Sequence, residues 1–426
     1  LINNEHAKPG WKEKIMKVKE LKTFVVGNPP PHTGGRYFIF VKLTTDSGVV
    51  GYGECYAATF SPDVMLRCIE DCFGRYLENE DPHHIEKFWR RAYSSGFTQR
   101  PDPTMMGCVS ALEMACWDIV GKEADKPVYE LLGGLVHERL RSYTYLYPED
   151  DESVYPADRE EGAKTVYNDP DMAAAVAVKA VEEGFTAVKF DPAGPYTAYD
   201  GHMPRLVDID LSARMCAAIR EAIGTRADIL FGTHGQFSPS GAVRLARAIE
   251  PYDPLWFEEP VPPDMPEAMS IVQGKTSIPV ATGERLCTRY EFARILQTGA
   301  ASILQLDLGR SGGILDGKKI ASMAETYHVH LAPHCYCGPI VGAANAQLSA
   351  CSPNFLVLES IKKWDGFHGE LLKKPIQWEE GYVIPSKEPG LGVELDEAVA
   401  EAHPWDPRGP LHLEMRPDPL DWDEPV

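Results

Sequence analysis

Eight short β-rich runs limit what this chain can fold into. They are RSYTYLY, TAVKFD, DILFGTH, PLWFEE, PVATGE, SILQLD, VHLAPH and FLVLES, all beyond residue 140. Each ends on a polar or charged residue. From His234 onward those ends fall at 234, 258, 284, 307, 334 and 359, at intervals of 24, 26, 23, 27 and 25 residues. Such a spacing holds one strand, one helix and the turns between them. Amphipathic stretches such as SGAVRLARAIEPY and TRYEFARILQTGA occupy the intervals. Continuously apolar strands are buried on both faces, which is the habit of parallel sheets covered by helices. Eight such units predict an α/β fold, a (β/α)8-type, TIM-like barrel over residues 141–365. The interval from Lys189 to His234 is longer and holds PAGPYTAYDGHMP, which reads as an insertion over the barrel mouth.

Residues 1–140 follow a different pattern. KIMKVKELKTFVV and RYFIFVKLTTDSGVVGYGECY read as strands, with Asp46-Ser47-Gly48 as a hairpin turn. SPDVMLRCIEDCFGRYL opens a helix on Ser61 with Pro62 at its first position. TMMGCVSALEMACWDIVGKEA is apolar on nearly every face and predicts a buried helix. This part is an α+β unit.

Composition narrows the partners. A formal net charge of −21 argues against nucleic acid and anionic membranes. It leaves a small anionic substrate open, because a local metal or lysine overrules the global field. The ten cysteines lie mostly in apolar surroundings, as reduced core thiols do. With no secretory signal at the start and no apolar run of membrane-spanning length, the expected location is cytoplasmic.

The chemistry is expected at the strand ends, because barrel active sites sit at the C-terminal face. Seven successive strands bring Lys189, His234, Glu258, Glu284, Asp307, His334 and Glu359 there. Glu258 and Glu259 are adjacent, so on a strand they point to opposite faces. One is then free to bind a cation while the other packs. Glu258 and Glu284 suit a hard, oxygen-seeking ion, although a buried ion pair with a lysine or an arginine such as Arg285 is the competing reading. Asp307 beside His334 would orient an imidazole as a base. HVH (328–330) and HCYC (334–337) are read as structure rather than metal motifs, and GRSGG (309–313) as a tight turn.

The motifs ALEMACWDIVGKEADKPVYELLGG, VKFD, WFEEP, TGERL, LDLGRSGG, APH, LES and EPGLGVELD, in this order, resemble the enolase superfamily. More narrowly they resemble the mandelate racemase/muconate lactonizing enzyme-like subgroup and its acid-sugar dehydratases of the D-galactonate and D-mannonate type. The resemblance implies a modified enolase barrel and an N-terminal capping domain, completed by residues 366–426. It also implies one divalent cation per chain, usually Mg²⁺, and removal of the proton α to a carboxylate with stabilisation of the enediolate. Glu258 rather than Glu259 then matches a metal ligand, with Glu284 a second. His334 with Asp307 matches the base, Glu359 an acid that hydrogen-bonds the substrate carboxylate, and Lys189 a substrate-polarising cation. His234 matches the acid that protonates a departing 3-hydroxyl. A homo-oligomer is also implied.

Two departures stand out. The second lysine of the subgroup's Lys-x-Lys pair is Asp191 here, which damages a two-base racemase arrangement. The third-strand metal carboxylate falls on Gly232, so Asp191, His234 or water must complete the ligand set. The preferred third ligand is Asp191. The expected reaction is dehydration of an acid sugar to a 2-keto-3-deoxy acid. A racemase, epimerase or cycloisomerase on the same scaffold is the alternative, ahead of a metal-dependent hydrolase or a non-catalytic binding protein. Substrate choice is assigned to capping loops such as GNPPPHTGGRY (27–37) and CYAATF (55–60).

Overall fold

The structure, a computed structural model, describes residues 16–56, 60–95, 97, 99–148, 164–192 and 201–411. Most of the 192–204 insertion and part of the 55–60 loop lie outside the described residues. The N-terminal part is an antiparallel meander of β1 (Val18–Gly27), β2 (Tyr37–Thr45) and β3 (Val50–Cys55). It is backed by α1 (Pro62–Tyr76), α2 (Ile85–Ser94), α3 (Pro103–Glu123) and the short α4 (Val128–Leu131). Helix α1 starts where Ser61-Pro62 predicts, yet the Ser61 hydroxyl makes no capping bond. Helix α3 is buried on nearly every face, as its composition requires.

All eight runs form strands of one sheet. They are β4 (Leu140–Tyr145), β5 (Ala187–Phe190), β6 (Asp228–Phe231), β7 (Trp256–Glu258), β8 (Val280–Thr282), β9 (Ile303–Leu304), β10 (His330–Leu331) and β11 (Leu358–Ser360). Neighbours pair in parallel from β4 to β10, and β11 pairs with β4. The ring closes between β10 and the approach to β11, where Leu331 accepts from Leu356 at 2.8 Å and donates to Asn354 at 2.9 Å. The connecting helices are α5 (Pro170–Glu182), α6 (Leu206–Ile223), α7 (Pro239–Ile249), α8 (Pro266–Gln273), α9 (Thr288–Thr298), α10 (Gly313–Thr326) and α11 (Pro339–Ala350). After β11 only the five-residue α12 (Gly366–Glu370) stands in the eighth helical place, so the barrel is a modified one.

The C-terminal segment touches both parts. A hairpin of β12 (Trp378–Glu379) and β13 (Tyr382–Val383) extends β4 antiparallel. Helix α13 (Glu397–Ala402) then leads back to β1, where Gly27 donates to the His403 carbonyl at 2.8 Å.

Inside the barrel, one side chain from each strand or its flank forms a dry layer: Tyr143, Ala187, Leu230, Trp256, Ala281, Ile303, Ala332 and Val357. Side chains two residues apart on a strand share a face. The next inward positions along most of these strands are therefore Lys189, Gly232, Glu258, Gln305, His334 and Glu359. The apolar layer is the floor on which the polar residues stand.

Candidate active site

Each polar group above that floor is held by specific partners. Glu258 is fully buried. One of its oxygens accepts from Lys189 Nζ at 2.6 Å. The other accepts from Trp256 Nε1 at 3.1 Å and Gln305 Nε2 at 2.8 Å. Burial works against the Lys189 charge, but Glu258 and Glu359 outweigh it and keep the ammonium well above its ordinary value. Glu359 stands 3.9 Å from Lys189 Nζ and accepts from the Cys335 main-chain N–H at 2.8 Å. Glu259 turns the other way. Its carboxylate takes Arg285 Nε at 2.7 Å, so Arg285 belongs to Glu259, while Glu258 makes the buried ion pair of the competing reading with Lys189.

Glu284 lies between two imidazoles. His334 Nε2 is 3.2 Å from one oxygen and His234 Nε2 is 3.5 Å from the other. Burial opposes the Glu284 charge, but the two histidines, Lys189 and Arg285 hold the carboxyl well below the usual range. Each histidine has its own orienting carboxylate on Nδ1. Asp307 Oδ2 is 2.7 Å from His334 and Asp191 Oδ2 is 3.1 Å from His234. Burial disfavours an imidazolium at His334, but Glu284, Glu359 and Asp307 raise the ring to about 9. Asp307 is further fixed by the Gly309 N–H at 2.7 Å.

Gly232 explains the position of Asp191. A Cβ built on Gly232 would lie 1.6 Å from Asp191 Oδ1. The carboxylate from β5 occupies the space that a side chain on β6 would fill. Burial pushes the Asp191 carboxyl up, against the charges of His234 and Lys189, and the Tyr145 hydroxyl bonds it. The structure thus gathers all eight predicted site residues at one end of the barrel. HVH lies elsewhere, with His328 and His330 exposed at the entry to β10. Cys335 and Cys337 are buried, with Cys337 Sγ 3.5 Å from Asp307.

As they stand, no three His, Cys, Asp or Glu among the described residues surround a common point suited to a metal ion. Lys189 is the cation that Glu258 faces, and the imidazoles of His234 and His334 are what Asp191, Glu284 and Asp307 face. The donor chemistry nevertheless fits a hard divalent cation. Glu258, Glu284 and Asp191 supply only oxygen, and five buried or nearly buried carboxylates crowd one small volume.

Gln305, Trp256 and Tyr145 also belong to the site, and sequence reasoning missed them. The available signal was the two-residue period, since Trp256 lies two residues before Glu258, Gln305 two before Asp307, and Tyr145 two after the inward Tyr143.

A family model described as Enolase C-terminal domain-like matches residues 171–399, more than half the chain. The chain belongs to the enolase superfamily. The N-terminal domain model of mandelate racemase/muconate lactonizing enzyme matches residues 31–133, so this superfamily member is of that type, and it is an enzyme. It is 35% identical over 393 residues to a D-galactonate dehydratase of Ralstonia nicotianae, covering 90% of this chain and 93% of that protein. Crystal structures of the mandelate racemase/muconate lactonizing enzyme kind are similar throughout. The one from Labrenzia alexandrii DFL-11 is 63% identical with a TM-score of 0.89, covering 94% of this chain and all of that one. The one from Burkholderia SAR-1 is 58% identical with a TM-score of 0.90, covering 96% and 99%.

Proposed function

We propose that this enzyme dehydrates an acid sugar to a 2-keto-3-deoxy acid. The observation that carries the reading is the pair of imidazoles facing each other across Glu284, each with its own carboxylate partner. An elimination needs a base for the C2 proton and an acid for the C3 oxygen. His334 is the base and His234 the acid. The proton leaves C2 to His334 Nε2, the C2–H electron pair forms the C2–C3 double bond, and the 3-hydroxyl departs as water with a proton from His234. The enol product tautomerises to the keto acid. Lys189 and Glu359 face the substrate carboxylate, Lys189 as a fixed positive charge and Glu359 as a hydrogen-bonding partner. Asp307 sets the tautomer of His334, and Glu284 favours its imidazolium only while that carboxylate's charge is unshared.

Glu258, Glu284 and Asp191 would hold the divalent cation, Mg²⁺ in this family's habit, which supplies positive charge to the enediolate oxygens. With Asp191 in place of a second lysine, a base on the opposite face of C2 is missing, which weighs against a racemase. The similarity to a D-galactonate dehydratase supports the same reading. The substrate is then a small carboxylate, with cytoplasmic location and homo-oligomeric assembly part of the proposal. No helix among the described residues is long and apolar enough to cross a membrane.

The test is a screen of C4 to C6 aldonate and aldarate salts, D-galactonate included, for 2-keto acid formation, followed by His234→Asn. Exchange of the α proton with D₂O should survive in the variant, while keto-acid formation falls by a general-acid factor of roughly 10²–10⁴. Equilibration of C2 epimers with no keto acid from any salt would overturn the dehydratase reading.

A further inference from the structure

Two fully buried carboxylates of the N-terminal part are absent from the chemistry above. Glu54 lies near the end of β3 and Glu113 in the middle of α3, and both are at most 1% exposed. Neither pairs with a lysine or arginine among the described residues. Each instead reaches across to the start of a barrel helix. Glu54 accepts from the main-chain N–H groups of Gly338 at 2.5 Å and Val341 at 2.9 Å, at the start of α11. Glu113 accepts from Ile314 at 2.7 Å and Leu315 at 2.8 Å, at the start of α10.

The first turn of a helix has N–H groups with no partner inside the helix. Helices α5 and α7 satisfy theirs with their own caps, Asp169 and Ser238. Helices α10 and α11 cannot, because their capping positions are Gly312 and Gly338. All of α11 is buried, which keeps water from doing the work. Glycine is also what admits the visiting carboxylates. A Cβ on Gly313 would lie 2.1 Å from Glu113 Oε2, and one on Gly338 would lie 2.8 Å from Glu54 Oε1. Negative charge at a helix N-terminus is favourable. Burial pushes both carboxyls up to about 8, with the same main-chain N–H groups opposing it.

The two helices are those that follow Asp307 and His334. Three residues lie between His334 and Gly338, and four between Asp307 and Gly312. The intervening loops are tied to the same contacts. Asn345 of α11 donates to the His334 carbonyl at 2.9 Å, and the Tyr56 N–H, two residues after Glu54, donates to the Gly309 carbonyl at 3.1 Å.

We infer that Glu54 and Glu113 are positioning residues for the His334–Asp307 pair, each capping the barrel helix that follows one member. The N-terminal part therefore sets the base by docking, in addition to covering the site. This inference rests on the reading of His334 as the base.

The test compares Glu54→Gln and Glu113→Gln in the full chain with Mg²⁺ present. Glutamine keeps the shape but turns an NH₂ toward a main-chain N–H. Amide hydrogen exchange should quicken over residues 334–341 in Glu54→Gln and over 307–315 in Glu113→Gln, each leaving the other loop as in wild type. With the acid sugar found by the screen, kcat for α-proton exchange should fall by about 10–100-fold, with KM within about twofold. Glu54→Asp, which keeps a carboxyl with two acceptor oxygens, should recover part of the loss. Should either Gln variant fail to fold, Ser110→Ala removes the 2.9 Å bond that Ser110 accepts from Gly312 and should loosen 307–315 alone. Quickened exchange spread evenly over the chain, or local loosening with unchanged kcat, would overturn the inference. The hydrogen-exchange arm uses no substrate, so an enzyme that dehydrates none of the salts would defeat the proposed function while that arm still decides whether the caps act locally.

Discussion

At the residue scale, the proposed metal site turns on the close approach of Asp191 to Gly232. Asp191 Oδ1 lies where a Cβ on residue 232 would lie, so the two positions cannot both carry carboxylates without displacing one. Asp191→Asn should weaken Mg²⁺ binding at least about tenfold, the scale on which metal-site partners act, as read by isothermal titration. Gly232→Asp alone should not help, because it collides with Asp191. An asparagine at 191 would still fill the space, so the rescuing partner is glycine: Asp191→Gly with Gly232→Asp should bind Mg²⁺ more tightly than Asp191→Gly alone. Wild-type affinity in Asp191→Asn would remove that residue from the ligand set. The adjacent Glu258 and Glu259 have a similar explanation. Their opposite orientations were legible from strand alternation, and Glu259 has a cation of its own in Arg285. A lysine or arginine on Glu258 was among the readings, but that the partner is Lys189, at 2.6 Å, was not legible, because it depends on the width of the barrel and not on spacing along the chain.

At the element scale, the eight strands were readable because parallel barrel strands are buried on both faces and leave unbroken apolar runs. The β12–β13 hairpin lies outside those runs, and its pairing to β4 is set by contacts far apart in the chain. The caps on α10 and α11 were hidden for a related reason. Glu54 and Glu113 sit some 200 residues or more from the helices they serve, whereas Asp169 beside Pro170 is a local signal. Helix α13 returns to the first sheet through another distant contact. Glu397 takes Lys42 at 2.5 Å, Lys22 at 2.9 Å and the Tyr52 hydroxyl at 3.0 Å. Partial burial opposes the charge, but Lys42, Lys22 and Tyr52 lower the carboxyl from 4.5 to about 2. Because the folded value is the lower one, this contribution is complete above about pH 4.5 and is lost as the pH falls toward 2. The protection of the 397–402 amides, relative to their intrinsic exchange rate at each pH, should therefore fall across that window. In Glu397→Gln that protection should be low already at pH 7 and show no such step. An identical pH step in the variant would assign the transition to another group.

At the scale of the whole molecule, a net charge of −21 coexists with an acidic cluster at the barrel mouth, and the two respond to cations differently. Surface charge is screened by any salt and depends on ionic strength. Buried carboxylates that bind one ion respond by mass action, and stabilisation grows with the ratio of free ion to Kd. At a hundredfold excess over Kd the gain is about 2.7 kcal/mol for binding to the folded chain alone. Mg²⁺ should therefore raise the melting temperature of the wild-type protein above that in NaCl of equal ionic strength. The difference should continue to rise with Mg²⁺ concentration beyond the point where NaCl has levelled off. Glu284→Gln should keep the NaCl response, because the surface is untouched, and lose the extra Mg²⁺ response. The same variant loses the anion that faces both His234 and His334 and that its neighbours hold well below the usual carboxylate range, so its ion-free form should itself be less stable than the wild type. The informative quantity is thus the Mg²⁺-minus-NaCl difference within each protein, not the melting temperature itself. Equal responses to Mg²⁺ and NaCl in the wild type would show that the ion acts only through the surface, and the assignment of Glu258, Glu284 and Asp191 to a metal would fall with it.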